Sequence, residues 1–458
     1  MMDTATAAGV VHGRVVGANV RFGRVTTDTR ALAPGDLFVA LKGEQFDGHD
    51  FVPAAFERGA VAALVAADRA DALAGDLIAV ADPLTALGQL ALHWRRQFAL
   101  PVIVIAGSNG KTTVKEMVAS ILRAEFGADA VLATRGNLNN AIGLPLTVLG
   151  LRAHHRAAAI ELGMNHPGET AELAAIAQPT VAIVNNAQRE HQEFRPGTAA
   201  VAMEHAALVR GLAAGGTAVL NADDAHVGVW RDAARERAAT VVDFGLDHPA
   251  AVGGRFVPTA AAGTLELSSA AGGATVRLAA PGRHNAANAL AAAAAALAAG
   301  VPLAAVVRGL EIFRPVAGRL VTRTAGCGAT VIDDTYNANP DSVRAAIEVL
   351  AGMAGRKCLV LGDMGEVGAQ GPAFHEEIGG YARAQGIDCL LAVGALAAAA
   401  VAAFGAGALH FTSVEALARH AADTVDRDTT VLVKGSRFMR MERVVAALAG
   451  QAADGGLH

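Results

Sequence analysis

The run Gly107-Ser108-Asn109-Gly110-Lys111-Thr112-Thr113 has the residue types of a phosphate-binding loop. Its glycines free the backbone to curl, so that successive N–H groups surround anionic oxygens. Lys111 then meets the outer phosphates of a nucleotide, and Thr112 offers a hydroxyl to Mg2+. The general motif also has a glycine six residues before the lysine, where this chain has Ile105. Gly-Lys-Thr alone is common by chance, so the setting of the triplet carries the reading. Val102 to Ala106 reads as a buried parallel strand, and Val114 to Leu122 continues with helical spacing. Strand, loop and helix in that order put the loop at a helix N-terminus, which favours anions before any side chain contributes. A ligand-free glycine turn gives no reason for a lysine at its end.

Two further apolar runs end in groups that suit the same chemistry. Ala157 to Gly163 is a predicted strand ending in Glu161, and Val181 to Asn186 is another that leads through Gln188-Arg189-Glu190 to His191. On a shared sheet edge these ends lie where α/β sheets bind ligands. Mg2+ takes few protein ligands, so a hydroxyl, a carboxylate and one further polar group suffice. Taken singly, a solvated loop carboxylate and a satisfied loop histidine are the commoner fates. Asn137, Asn139 and Asn140 crowd a loop before Pro145, either for a ligand or as helix-entry caps. Asn285 and Asn288 open an alanine-rich helix one turn apart.

The elements around these groups imply an α/β chain of several domains. Its 458 residues exceed one ordinary core. In the first eighty residues, Pro34-Gly35 and Asp47-Gly48 mark turns around a short strand, and Val52 to Gly59 reads as a helix. Asp28, Arg30, Lys42 and His49 fall near loops there, where packing and a polar ligand are both open readings. A boundary is expected near residue 83, before a predicted helix from Leu84 to Phe98, and a second near Phe313-Arg314-Pro315. The predicted domains are therefore 1–83, 84–313 and 314–458. Between 250 and 279 shorter alternating segments predict an antiparallel addition to the central sheet. Beyond 315, strands ending at Asp334, Gly362-Asp363 and Lys434 alternate with helices, as in a Rossmann-like doubly wound sheet. Gly362, Gly365 and Gly368 have the wrong spacing for a nicotinamide fingerprint.

Composition narrows the class. The hydrophobic fraction of 53% is inflated by alanine, and no stretch is long and apolar enough to span a bilayer. With no signal-like N-terminus, a cytoplasmic enzyme is expected. A net charge of -5 without a basic, aromatic-interleaved stripe argues against nucleic acid. Cys327, Cys358 and Cys389 are odd in number and widely spaced, which predicts reduced thiols, each a small buried hydrophobe.

Together these pieces resemble the Mur ligases over nearly the whole chain. The residues that carry the likeness are Thr27-Asp28-Thr29-Arg30 with Asp47-Gly48-His49, the Gly107 to Thr113 loop, Asn137 to Pro145, Glu161-Leu162-Gly163, His284-Asn285 and Gly318-Arg319. Asp334-Thr335-Tyr336-Asn337-Ala338-Asn339-Pro340, Gly362-Asp363-Met364-Gly365-Glu366 and Lys434-Gly435-Ser436-Arg437 point to the branch that adds a dipeptide. The Asp-Asn-Pro-Arg expected of the diamino-acid-adding branch is absent. The resemblance implies three domains: a UDP-substrate module, a central P-loop ATPase and a C-terminal ligase domain. It implies a cytoplasmic monomer that joins D-alanyl-D-alanine to UDP-N-acetylmuramoyl-tripeptide through an acyl phosphate, in peptidoglycan synthesis, with ATP and Mg2+. By the family pattern Lys111, Glu161 and His191 are catalytic, and Thr112, Glu161 and His191 hold the metal. ATP lies on the 107–113 loop, with its adenine near Asn285, beside Asn288, and its ribose and phosphates near Arg319 and Asp334. Asp28, Arg30, Lys42 and His49 lie near the uridine-sugar, Asn139 and Asn140 toward the muramoyl group, and Lys434, Ser436 and Arg437 near the dipeptide.

One departure is informative. Mur ligases commonly use a carbamylated lysine after the metal histidine, yet no lysine lies between Lys115 and Lys357. The corresponding stretch is Val201-Ala202-Met203-Glu204-His205, so Glu204, His205 or water is expected to complete a second metal shell, without dependence on bicarbonate. Two rivals remain. A folylpolyglutamate-type ligase shares the central logic but gives no reason for the Asp47-Gly48-His49 module. A P-loop nucleotide switch would use Glu161 as its Mg2+-organising carboxylate.

Overall fold

The computed structural model describes residues 1–190, 197–259 and 262–450. Three larger sheets, of five, nine and six strands, succeed one another along the chain. The first runs in the order Arg14–Val16, Leu77–Val80, Ala62–Ala66, Asp36–Val39, Arg24–Thr26. All but its Arg14–Val16 edge is parallel. Its middle strands are buried and, apart from Asp36, apolar because both faces are covered.

The central sheet positions the site. Val102–Ala106 lies between Ala157–Glu161 and Val181–Val184, parallel to both. The chain leaves it through helix Lys111–Phe126 to the edge strand Val131–Ala133, returns by Ala157–Glu161, and only then crosses to Val181–Val184. That reversal opens a crevice at the carboxyl ends of the three strands. Thr217–Asn221, Thr240–Gly245 and Val252–Pro258 extend the parallel part, and Gly263–Ser269 and Gly272–Leu278 form the antiparallel addition. The alanine-rich helix Arg283–Ala298 has Ala289 and Ala291 to Ala296 fully buried beneath this sheet. Alanine lets it lie close while losing no side-chain entropy.

The last sheet runs Val321–Thr324, Thr330–Asp334, Thr429–Lys434, Arg356–Gly362, Cys389–Val393, Ala408–Phe411, parallel apart from its first strand. It has its own apolar layers on both faces.

Two sequence expectations change here. The helix expected from Leu84 to Phe98 spans Pro83–Arg95, because Asp82 caps it and proline suits its first position. It packs in one apolar core with residues of both the first and the central sheet. Cys327 is exposed, whereas Cys358 and Cys389 are buried partners on adjacent strands; all three are free thiols.

Candidate active site

The 107–113 loop curls as its composition requires. Gly107 and Gly110 have φ of +145° and +82°, and a Cβ on Gly110 would stand 2.5 Å from Asn288 Oδ1 and 2.7 Å from Asn185 Nδ2. Those amides brace the loop from below. Asn185 Nδ2 donates to Asn288 Oδ1 (2.9 Å) and to the Asn109 carbonyl (2.8 Å), which also accepts from Asn186 Nδ2 (3.0 Å). Helix Lys111–Phe126 follows directly, so its free N–H groups add to the anion-binding surface. Lys111 Nζ donates to the carbonyls of Gly107 (2.6 Å) and Ser108 (3.2 Å) and pairs with Glu190 (3.2 Å).

Arg319, from the connection to the last sheet, reaches across. Its Nη2 donates to Thr112 Oγ1 at 2.9 Å, its guanidinium stacks 4.2 Å from the Tyr336 ring, and its buried Nε has no hydrogen-bond partner. An unspent donor beside a phosphate loop suits a nucleotide oxygen.

Glu161 is 3% exposed at the end of its strand. Its N–H donates to Thr134 Oγ1 (2.9 Å), and its Oε1 accepts from Asn139 Nδ2 (2.7 Å). Its buried Oε2 has no hydrogen-bond partner among the described residues. Such an oxygen is costly to desolvate unless a cation or ligand donor meets it. With the Thr112 hydroxyl in the same cleft, the donor set is all oxygen, as Mg2+ prefers. His191, the third expected ligand, lies outside the described residues.

These groups line one cleft of about 750 Å3 between the central and last sheets. Its walls include Ser108 to Thr113, Asn139, Asn140, Glu161, Asn285, Asn288, Arg319, Asp334 and Lys434. Several of them are already committed. Asn288 Nδ2 donates to Asn285 Oδ1 (3.2 Å) and Asn285 Nδ2 to the Pro281 carbonyl (2.7 Å), so both serve as braces as well as walls. Lys434 Nζ donates to Asp334 Oδ2 (2.5 Å) and to the Asn337 carbonyl (2.9 Å). Asn140 Oδ1 caps the helix Gly143–Leu149 through the Gly143 N–H at 2.9 Å. Burial pushes the His284 imidazole in the same wall below its ordinary pKa, with Asp334 opposing and Lys434 reinforcing the shift.

Other sequence candidates lie elsewhere. Asp28 and Arg30 pair with each other at 2.9 Å, and Lys42 is exposed in an isolated bridge with Asp47, all in the first unit and outside the cleft. In His49, Nε2 accepts the Ala66 N–H at 2.9 Å, and Nδ1 meets Asp47 Oδ1 at 2.5 Å. Ser436 Oγ accepts from the Gly365 N–H (2.7 Å) and donates to the Ala338 carbonyl (3.2 Å), and Arg437 is exposed beside Glu442. Glu204 accepts from the N–H groups of Gly168 and Thr170, each at 3.1 Å, at the start of helix Glu169–Ala177. The buried His205 ring lies 3.4 Å from Glu190 and has no hydrogen-bond partner on either nitrogen. Neither Glu204 nor His205 lines the cleft.

Reading the sequence assigned no role to Asn185, Asn186, Arg189, Glu190 or Asn339, all of which line the cleft. The one available signal was the paired asparagines closing the Val181 strand.

The chain matches family models described as Mur ligase middle domain over residues 105–296, Mur ligase, glutamate ligase domain over 318–437, and Mur ligase family, catalytic domain over 21–95. It is 41% identical to the UDP-N-acetylmuramoyl-tripeptide--D-alanyl-D-alanine ligase of Escherichia coli K12, with 96% of each chain covered. Identity to the Haemophilus influenzae enzyme of that name is 36%, with 98% of each covered. Among solved structures it is similar to MurF from Acinetobacter baumannii, with TM-score 0.90, 34% identity, and 98% and 99% coverage. It is also similar to the Thermotoga maritima MurF ligase in complex with ADP, with TM-score 0.81, 27% identity, and 93% and 97% coverage.

Proposed function

The chain belongs to the Mur ligase family, and from that premise we propose that it is the ATP-dependent ligase that joins D-alanyl-D-alanine to UDP-N-acetylmuramoyl-tripeptide, forming the pentapeptide precursor of peptidoglycan. The observation that carries the mechanism is the cleft. It brings together a phosphate loop and its lysine, a carboxylate with an oxygen that has no partner among the described residues, and an arginine from the connection to the last sheet.

An oxygen of the tripeptide's terminal carboxylate attacks the γ-phosphorus of ATP. The bond to the β,γ-bridging oxygen breaks, ADP leaves and an acyl phosphate forms. The dipeptide amine then attacks the acyl carbon, inorganic phosphate leaves with the C–O bond electrons, and the amine gives up a proton. In the first step charge grows on the γ-phosphoryl oxygens. Lys111, exchanging one of its present acceptors for a phosphoryl oxygen, and the N–H groups of the loop and helix start meet that charge. Arg319, held flat on Tyr336, adds a second cation from the opposite wall. Thr112 and Glu161, with His191, would hold Mg2+, which neutralises phosphate charge when bound. Asn139 occupies Oε1 of the Glu161 carboxylate, which leaves Oε2 unspent among the described residues. Asn109 and Asn339 exchange amide hydrogen bonds of 2.9 and 3.3 Å across the cleft mouth, which helps to exclude water from an intermediate that water would hydrolyse. Asp28, Arg30 and Lys42 stand far from this chemistry, in the first unit, as residues for the UDP-sugar would.

The test is phosphate release against a panel of UDP-muramoyl-peptides with and without D-alanyl-D-alanine. The reading requires both substrates for sustained release. ATP hydrolysis indifferent to either would favour the nucleotide switch instead.

A further inference from the structure

Arg189 occupies an unusual position: its side chain belongs to one unit and its chain neighbours serve another. All three guanidinium nitrogens bond to carboxylates of the last unit. Nε and Nη2 meet Asp341 Oδ1 at 3.1 and 2.6 Å, and Nη1 and Nη2 meet the two oxygens of Glu377 at 2.6 and 3.1 Å. Its backbone N–H also donates to Asp341 Oδ2 at 2.8 Å, and its guanidinium carbon lies 5.3 Å from the Phe374 ring centre. Asp341 sits in the first turn of helix Pro340–Ala351, and Glu377 on helix Gly371–Ala384. Burial alone would lower the guanidinium pKa, but the bonds to Glu377 and Asp341 outweigh it and raise it, so the group stays charged.

The residues on either side grip the phosphate loop. Gln188 donates its N–H to Ser108 Oγ (2.9 Å), accepts from the same hydroxyl at its carbonyl (3.2 Å), and accepts Asn109 Nδ2 at its side-chain oxygen (2.6 Å). Glu190 pairs with Lys111 at 3.2 Å. One short segment thus holds the loop by both ends and the last unit by its middle. A single exposed ion pair contributes little. A doubly forked arginine between partly buried carboxylates is a stronger and directional contact.

We propose that Arg189 is a positioning residue that couples closure of the last unit to the working posture of the phosphate loop. When the clasp is made, Gln188 and Glu190 hold Ser108, Asn109 and Lys111 in register. When it opens, that register loosens, and phosphoryl transfer waits for reclosure. The kinetic part of this proposal rests on the ligase reading above, and the conformational part does not.

The test uses the full chain. Arg189→Ala, Asp341→Asn/Glu377→Gln and the triple variant are compared with wild type by small-angle scattering, by binding of a non-hydrolysable ATP analogue and by steady-state kinetics. The expected result is a larger radius of gyration for all three variants, with kcat about tenfold to a hundredfold lower, because a displacement of about 1 Å at a transfer site has effects of that size. Nucleotide Kd should stay within about threefold, since the loop itself remains. The triple variant should lose no more than either parent, because all remove one device. Arg189→Lys, with charge but no fork, should fall between. Unchanged scattering and kcat, additive losses, or faster turnover would each overturn the proposal. If Arg189→Ala fails to fold, the carboxylate pair variant carries the same comparison. If wild type fails to ligate, the ligase reading fails while scattering still decides the clasp.

Discussion

Replacing Lys111 with alanine separates two roles that the structure gives this side chain. Its ammonium is held by two loop carbonyls, at 2.6 and 3.2 Å, where it can meet the transferring phosphoryl group. Losing one preorganised charge of this kind lowers kcat by about 10²–10³-fold, or about 3–4 kcal/mol of transition-state stabilisation. The ammonium is also a partner of Glu190, whose side chain is only 7% exposed. Sequence considerations alone predict that Lys111→Ala leaves the fold intact; Glu190 modifies that. Removing one partner of a fully buried pair costs about 3–5 kcal/mol. Here Lys111 is 18% exposed and His205 remains 3.4 Å from Glu190, so about 1–2 kcal/mol is expected, in the range of an unmet polar group. That corresponds to a fall in Tm of about 2–8 °C for a unit of this size. Lys111→Ala/Glu190→Gln also removes the Glu190 charge, so Tm should recover while turnover does not. Calorimetry and a coupled phosphate-release assay read the two quantities on the same samples. Turnover within about tenfold of wild type, or no recovery of Tm in the double variant, refutes the reasoning.

Glu161→Gln removes the charge whose Oε2 lacks a partner, and the Mg2+ concentration for half-maximal activity should rise about tenfold or more. Weaker Mn2+ binding, followed by electron paramagnetic resonance, checks the same loss without turnover. Gly110→Ala forces a side chain into the left-handed region, at about 1–2 kcal/mol, and against the Asn288–Asn185 pair, at about 1–3 kcal/mol more. A lower unfolding midpoint together with loss of ATP-analogue binding is expected, and retention of both would show that the brace is unimportant. Asp47, whose carboxyl is drawn down from 3.8 to about 2 chiefly by the His49 N–H and ring, gives the first unit an acid-side dependence. Because its folded pKa is depressed, its contribution is complete above about pH 4 and is lost as pH falls through about 2. Asp47→Asn should flatten urea midpoints over that window while its side-chain oxygen still caps the turn at neutral pH.

Much of this protein is written locally. The Val102 strand, its glycine turn and the helix from Lys111 follow from apolar spacing and loop chemistry over a dozen residues, and so they were legible. So were Glu161 at the end of a buried strand and the antiparallel addition between 250 and 279, since period and length alone define them. What local reading does not show is a side chain's partner that lies far off in the chain. Asn288, expected beside a nucleotide, lines the cleft and also accepts Asn185 Nδ2 from 103 residues away. Lys434 reads as a substrate cation, yet Asp334, at a separation of 100 residues, claims its ammonium. His49 and Ser436 were likewise drawn into packing by backbone N–H groups that no local pattern names. Arg189, unremarkable in its loop, gained its role only because the last unit brings Asp341 and Glu377 to it from 152 and 188 residues away. The amino-acid sequence by itself determined the elements, their order and the type of chemistry, because periodicity and turn residues act over a few bonds. Which polar groups remain free to meet a ligand was decided only by tertiary structure, because burial makes each donor and acceptor take whatever partner the fold places within about 3 Å.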